Sequence, residues 1–248
     1  RMRLCLLAAG FATRMYPLTS DCAKPLLEVG GELLASRLLR QALDSGELEA
    51  VTVVCNARFV EDFTRWASEQ PVPVQVVSND AEQDSQARGA VADLQLLLSS
   101  VHGDGENGYL VVAGDNWLEQ GFSSCRRAFE QNPERPLVVV RQVPEPVPGG
   151  RYSEVLFNTD GTVTRFREKP MVAESVWSAI AVYFFPKELP QWVAKYLDQD
   201  GNPDAPGHFL AWVCEHHRLR STPLQGAWHD VGSLEGLASL RDALDARG

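Results

Sequence analysis

The sequence has no run of lysine or arginine anywhere. Asp and Glu outnumber Lys and Arg 33 to 23, for a formal charge of -10, so nucleic acid, whose phosphate backbone is gripped by basic surface, is not an expected partner. An acidic chain still accommodates a phosphorylated small substrate if its few cations converge on it. There is no C-x-x-C pair either. The five cysteines, Cys5, Cys22, Cys55, Cys125 and Cys214, are scattered and odd in number, which reads as free thiols in a reducing compartment and not as a disulfide framework or a zinc site. No apolar run approaches the ~20 residues that span a bilayer, and with the first residues reading as a strand no cleavable leader is expected. A soluble cytoplasmic protein with no membrane partner is expected. Repeats, low-complexity tracts and coiled-coil heptads are missing. Gly10 is not followed by G-x-G-x-x-G spacing, and no acidic ribose ligand follows the second strand, which disfavours a dinucleotide-dependent oxidoreductase.

What is present is an alternation of strands and helices in a chain of 248 residues, enough for one large α/β domain with a subsidiary lobe. Leu4 to Ala9 reads as a strand. Leu33 to Leu43 carries leucines at helical spacing, and Val51 to Cys55 is the continuous β-branched run of a strand buried on both faces. Val60 to Ala67 reads as a short helix, Val72 to Ser78 as a third strand, Ala90 to Leu98 as a helix, Tyr109 to Ala113 as a strand, and residues 102–107 before it as a polar turn. A helix at Phe122 to Gln131 and a strand at Leu137 to Arg141 follow. The proline- and glycine-rich stretch Val143 to Gly150 forbids regular structure. Beyond it, Tyr152 to Phe157 and Val163 to Phe166 flank an Asp160-Gly161 turn and predict a hairpin. Ser178 to Phe185 is another buried strand, and helices are expected at Trp192 to Leu197, His208 to Glu215 and Ser233 to Leu244, the last capped by Ser233.

Polar groups gather where these strands end. The first strand breaks at Gly10 into a small-residue turn carrying Arg14, with Lys24 ten residues later just before Pro25. Exposed backbone N–H groups beside two cations are what a bound polyphosphate needs. Residues Asn79 to Gly89 are polar and enter a helix, either as a ligand contact at the carboxyl edge of a sheet or as a solvated connection. Asp115 ends a buried strand, as a metal ligand or as a turn aspartate. Arg167-Glu168-Lys169-Pro170 closes the hairpin, and Trp228-His229-Asp230-Val231-Gly232 precedes the last helix. His208, His216 and His217 lack further ligands at zinc spacing. Arg14, Lys24, Asp115, Glu168, Lys169 and Asp230 together suit nucleotidyl transfer. The aspartates would fix a divalent cation, for which magnesium matches an all-oxygen set, and the cations would neutralise phosphate charge.

The opening AAGFATRMYPLTSDCAKPLLEV, then Gly114-Asp115-Asn116, Glu168-Lys169-Pro170 and Trp228-His229-Asp230-Val231-Gly232, in that order, resemble the signature motifs of the sugar-1-phosphate nucleotidylyltransferases, typified by glucose-1-phosphate thymidylyltransferase. The resemblance implies a Rossmann-like three-layer α/β/α fold with a mostly parallel mixed central sheet and a small β-rich sugar-binding lobe. It implies one domain over 1–248, with a nucleotide-binding part over about 1–141, a sugar-binding part over about 142–232 and a terminal helix at 233–246. By the same resemblance, Ala9, Gly10, Ala12, Thr13 and Arg14 form the loop over the triphosphate. Lys24 promotes attack at the α phosphorus, and Gly89 offers backbone to the nucleobase. Asp115 and Asp230 hold Mg2+, Lys169 contacts the sugar phosphate, and Glu168 accepts sugar hydroxyls, with Asn116, Gly150 and Tyr183 on the sugar side. The partners implied are a nucleoside triphosphate and a sugar 1-phosphate.

Two departures stand out. Ala12 replaces a glycine common in the family's opening turn, and its methyl group is tolerable there only if φ stays negative. Glu82 to Arg88 does not follow the usual thymidylyltransferase pattern, which leaves thymine, uracil, cytosine and guanine open. The chain ends soon after Asp230, so the β-helix acyltransferase domain of some relatives is not expected. Alternatives are a cytidylyltransferase for a non-sugar phosphate such as phosphocholine or a cyclitol phosphate, with Trp117, Trp177 or Tyr183 in an aromatic cage, and a catalytically silent nucleotide-sugar-binding subunit. Monomer and homo-oligomer are not distinguished by the residue pattern.

Overall fold

A computed structural model describes residues 1–101 and 105–246, and the polar turn expected at 102–107 lies in part outside the described residues. In chain order the elements are β1 (Met2–Ala8), β2 (Glu28–Val29), β3 (Glu32–Leu33), α1 (Leu34–Ser45), β4 (Leu48–Cys55), α2 (Val60–Ser68), β5 (Gln75–Ser78) and α3 (Ala90–Ser100). There follow β6 (Tyr109–Ala113), β7 (Asn116–Leu118), α4 (Ser123–Glu130), β8 (Leu137–Gln142), β9 (Glu154–Phe157), β10 (Val163–Arg167) and β11 (Trp177–Phe185). The last are α5 (Leu189–Asp198), α6 (Pro206–His216), β12 (Arg220–Pro223), β13 (Trp228–Asp230) and α7 (Leu234–Asp245). Each long helix and strand read from periodicity is present. The third strand starts at Gln75 and not at Val72, because Pro73 has no N–H to give to a ladder.

A nine-stranded mixed sheet runs β10-β9-β11-β6-β1-β4-β5, with β8 paired to β11 and β12 paired to β8. Strands β6, β1, β4 and β5 are mutually parallel. Strand β11 runs antiparallel to β6, β8 and β9, so the hairpin expected in a β-rich lobe continues the same sheet. From β1 the chain steps outward to β4 and β5, then returns to β6 on the other side of β1. The order reverses there, and the crevice at the carboxyl ends of β1 and β6 is where open α/β sheets receive ligands.

Alternate residues of β1 divide between two cores, as the two-residue period of a strand requires. Leu4 and Leu6 pack with Leu38, Phe63 and Phe129 from α1, α2 and α4, whereas Cys5 packs with Leu97, Val193 and Phe209 from α3, α5 and α6. Helices therefore cover both faces of the sheet. A third, smaller cluster joins Met15, Leu27, Trp117, Val231 and Leu237. Its members come from the opening loop, the segment after Lys24, β7, the turn after β13, and α7. Burying these apolar residues together draws the polar motifs between them into one place. The five cysteines are free. Among the described residues, no helix is long and apolar enough to cross a membrane.

The segment after β10 is fastened by a buried carboxylate. Glu154 on β9 is 0% exposed; it accepts hydrogen bonds from Arg167 Nε at 2.6 Å and from the backbone N–H groups of Glu174 and Ser175. Burial alone raises a carboxyl group, but the Ser175 N–H, the Arg167 guanidinium and the Glu174 N–H outweigh it and hold Glu154 below its ordinary value. A depressed carboxyl contributes stability that is complete above the unfolded value and lost as pH falls through the lower folded one. Glu154→Ala leaves Arg167 and two N–H groups without their acceptor and is expected to lower the unfolding free energy by about 3 kcal/mol at neutral pH. Urea denaturation should show that loss, and the gap to the parent chain should narrow as the pH is brought below the carboxylate range.

Candidate active site

Two cavities meet at the sheet's reversal point. The first, about 500 Å³, is lined by Arg14, Lys24, Asp115, Asn116, Gly150, Glu168, Lys169, Tyr183 and Asp230 among others. The second, about 470 Å³, is lined by Ala9, Gly10, Ala12, Lys24, Gly89, Asp115, Glu168 and Lys169 together with residues of α3. Lys24, Asp115, Glu168 and Lys169 belong to both. Of the fourteen residues expected at the site, Thr13 lines neither cavity, and Arg14 faces the first without lining the second.

Lys24 begins a 3-10 turn in which Pro25 supplies a preset φ. Its Nζ lies 3.1 Å from Asp115 Oδ2, with the lysine side chain 14% exposed. Asp115 follows Gly114 at the end of β6, and that glycine has a packing reason: a Cβ there would sit 2.7 Å from Pro25 Cγ. The Lys-Pro and Gly-Asp motifs thus fit against each other. Asp230 arrives by a route invisible to periodicity, a three-residue ladder in which β13 pairs with β7 and Asp230 faces Asn116. The Val231 N–H donates to the Asp115 carbonyl at 3.2 Å. Burial, followed by the like charge of Asp115, raises the Asp230 carboxyl above its ordinary value, with Lys24 opposing.

Among the described residues, no group of three or more His, Cys, Asp or Glu side chains is arranged to hold a metal. Asp115 and Asp230 offer two carboxylates whose mutual repulsion a hard divalent cation would relieve. A two-carboxylate set leaves coordination positions to phosphate oxygens and water, as magnesium sites commonly do. These residues therefore fit the expected ion. His216 and His217 stack on Trp212 and Trp192 at 4.4 and 3.7 Å between ring centroids.

The acceptor side is built around Glu168. Its side chain is 9% exposed, and Oε1 lies 3.8 Å from Lys169 Nζ. Ser153 Oγ donates to its Oε2 at 2.5 Å. A Cβ on Gly207, at the start of α6, would lie 1.6 Å from that same oxygen, so α6 approaches Glu168 as closely as it does because residue 207 has no side chain. Ser153 and Gly207 carried no sequence signal, since each matters only through a partner distant along the chain. Asn116 is 3% exposed; its Nδ2 donates to the Ala113 carbonyl at 3.1 Å and its Oδ1 accepts from Trp228 Nε1 at 2.6 Å. It braces β7 against β13 beside the cavity. Gly150 is tied to the Glu-Lys-Pro turn through its N–H to the Pro170 carbonyl at 2.9 Å. Tyr183 is buried, and burial followed by the nearby Glu168 raises its hydroxyl.

Ala12 corrects the sequence reading. Its φ is +52° and ψ +38°, the left-handed region, and not the negative φ that a methyl group prefers. The carbonyl of Ala12 accepts from the buried Thr19 Oγ1 at 2.8 Å and from the Met15 N–H at 2.9 Å, and Met15 is fully buried in the third cluster. The loop is fixed on both sides, so the alanine takes the conformation that its surroundings require. A non-glycine residue there costs about 1–2 kcal/mol, partly offset by about 0.4–1 kcal/mol of unfolded-state entropy that glycine would add. Ala12→Gly is expected to raise stability by about 0.5 kcal/mol in chemical denaturation.

Asp230 yields a second expectation. A carboxyl raised by folding holds its proton more firmly in the native state, so its cost is absent below the unfolded value and complete above the folded one. Asp230→Asn removes that cost and should raise the melting temperature in metal-free buffer at neutral pH, with the difference vanishing in acid. Equal melting temperatures at neutral pH would contradict the raised carboxyl.

Residues 4–246 match the family model described as nucleotidyl transferase. The chain is 23% identical over 232 residues to mannose-1-phosphate guanylyltransferase catalytic subunit beta of Danio rerio, covering 93% of this chain and 61% of that one. It is 29% identical over 236 residues to N-acetylmuramate alpha-1-phosphate uridylyltransferase of Caulobacter vibrioides, covering 92% and 90%. Against several guanylyltransferase relatives it thus spans about three fifths of their length. The crystal structure of UDP-glucose pyrophosphorylase complexed with UDP-glucose shares the fold, with a TM-score of 0.81 at 17% identity over 100% of this chain and 99% of that one. The ordered motifs, the mixed sheet between two helical layers and a family match over almost the whole sequence agree, and the chain belongs to the nucleotidyl transferase family.

Proposed function

We propose that this chain transfers a nucleotidyl group from a nucleoside triphosphate to a sugar 1-phosphate. The observation that carries this reading is the pair of cavities sharing Lys24, Asp115, Glu168 and Lys169, since transfer between two phosphorylated substrates needs both to reach one set of charges. The nucleotide occupies the second cavity, between the opening loop and α3, and the sugar occupies the first, between Glu168 and Asp230. An oxygen of the sugar phosphate attacks the α phosphorus in line, a new P–O bond forms, and the bond to the β phosphate breaks to release pyrophosphate. No protein nucleophile is required. Positioning two polyanions is the main task.

Lys24, held by Asp115, places positive charge beside the α phosphorus. Lys169 neutralises the sugar phosphate, Arg14 neutralises phosphate at the cavity mouth, and Glu168 orients sugar hydroxyls through the oxygen not engaged by Ser153. Asp115 and Asp230 would hold a magnesium ion, which supplies charge neutralisation across the phosphates when bound. An aromatic cage for a quaternary ammonium finds little support. Trp117 packs under Arg37, with the guanidinium carbon 4.4 Å from the ring centroid, and Trp177 packs on Phe157. The aromatic ring of Trp228 at the cavity already carries the Arg141 guanidinium, 4.2 Å from its centroid.

Incubating the protein with magnesium, a matrix of nucleoside triphosphates and sugar 1-phosphates should release pyrophosphate with at least one pair. Lys24→Ala is expected to lower kcat by about 10²–10³-fold, and Asp115→Asn to remove most turnover with the fold retained. Tight nucleotide-sugar binding without pyrophosphate release from any pair would instead favour the silent-subunit reading.

A further inference from the structure

Asp115 is placed by β6, a strand of the large sheet, whereas Asp230 ends a ladder too small to hold itself. Strands β7 and β13 have three residues each and form a sheet of their own, and an isolated two-stranded ribbon is marginal in water. Asn116, next to Asp115 in the chain, faces Asp230 across that ladder. Two residues before Asp230, and so on the same side of the ribbon, the Trp228 indole reaches diagonally across it, its Nε1 donating to Asn116 Oδ1 at 2.6 Å. One side-chain hydrogen bond thus ties together the two segments that carry the carboxylates.

The indole is in turn held from the large sheet. Arg141, on β8, places its guanidinium carbon 4.2 Å from the Trp228 ring centroid and 5.1 Å from that of Tyr152, and the two rings meet edge-to-face at 6.0 Å. Its Nε is buried without a hydrogen-bond partner. Burial lowers the guanidinium below its ordinary value, with Tyr152 and Asp230 opposing. An apolar side chain would fill the same corner without that cost; what a planar cation adds is a hold on two aromatic rings at once. Resting on the reading of Asp115 and Asp230 as cation ligands, we propose that Arg141 is a positioning residue for that pair: it clamps the Trp228 indole, keeps its bond to Asn116 closed and thereby sets where the Asp230 carboxylate stands. Residues behind metal ligands commonly carry this task.

Binding of Mn2+ to the nucleotide-free full chain, followed through the electron paramagnetic resonance signal of the free ion, tests this. Arg141→Met keeps the length of the side chain and removes the planar charge, and Trp228→Phe keeps a ring and removes the Nε1 donor. Each is expected to bind Mn2+ about tenfold more weakly than the parent chain. Arg141→Lys, which keeps the charge but not the plane, replaces Arg141→Met should that variant fail to fold, with a loss in the same direction. Glu154→Ala serves as the control for lost stability, since it weakens the fold away from the carboxylate pair, and it should bind the ion as the parent does. Unchanged Mn2+ affinity in the Arg141 variant or in Trp228→Phe, or an equal loss in Glu154→Ala, would overturn the assignment while leaving the cation pair standing. No Mn2+ binding by the parent chain would overturn the cation-pair reading itself, and this assignment with it.

Discussion

The contact between Lys24 and Asp115 is the joint on which the site depends. The two residues are 91 positions apart in sequence, and their side chains meet at 3.1 Å because β1 and β6 are parallel neighbours whose carboxyl ends lie side by side. The loop after β1 must double back over the end of β6 to bring Lys24 there. Pro25 against Gly114, and Met15 and Leu27 in the third cluster, hold it in that course. A largely buried lysine is tolerable only with a partner, so the loop's path and the aspartate's position stabilise one another. In the proposed reaction the same lysine must also serve phosphate, and Asp115 keeps it oriented toward the place where both substrates meet.

Much of the framework was legible in the sequence because long elements announce themselves. The β-branched runs from Val51 and Tyr109 and the leucine spacing of α1 carry enough residues for a period to show. The elements that place Asp230 were not legible. β7 and β13 have three residues each, too few for alternation to be read, and their pairing spans more than a hundred positions. Most of the expected site residues came from ordered motifs, Gly89, Gly150 and Tyr183 excepted, and the structure brings thirteen of the fourteen to one or other cavity wall. What the motifs could not convey is how each residue is held. Asn116 is spent bracing Trp228, and Glu168 is fixed by Ser153 and by the bare backbone of Gly207. Ala12 shows the limit most clearly. A rule about methyl groups and φ is local, whereas the Thr19 hydroxyl and the buried Met15 impose the left-handed turn from outside the residue.

The charge inventory of the first cavity gives these contacts a common meaning. Arg14, Lys24, Arg151 and Lys169 line it, and so do Asp115, Glu168, Asp230 and Glu235. Four cations face four carboxylates, so the wall is close to electrically balanced before any ligand arrives. A balanced wall cannot by itself neutralise two polyphosphorylated substrates brought within bonding distance. Lys24 and Lys169 are moreover each beside a carboxylate, Asp115 and Glu168. The carboxylates therefore make sense in the proposed reaction only if they bring in charge of their own, which is what two aspartates sharing a divalent cation would do. Burial first, and the like charge of Asp115 second, hold the Asp230 carboxyl above its ordinary value, so a carboxylate placed here costs stability. Stability forgone at Asp230 and strain accepted at Ala12 lie in the walls of the two cavities that share Lys24, in a chain whose long elements are otherwise consistent with their local sequence. Such departures are expected to concentrate where a protein acts on a ligand.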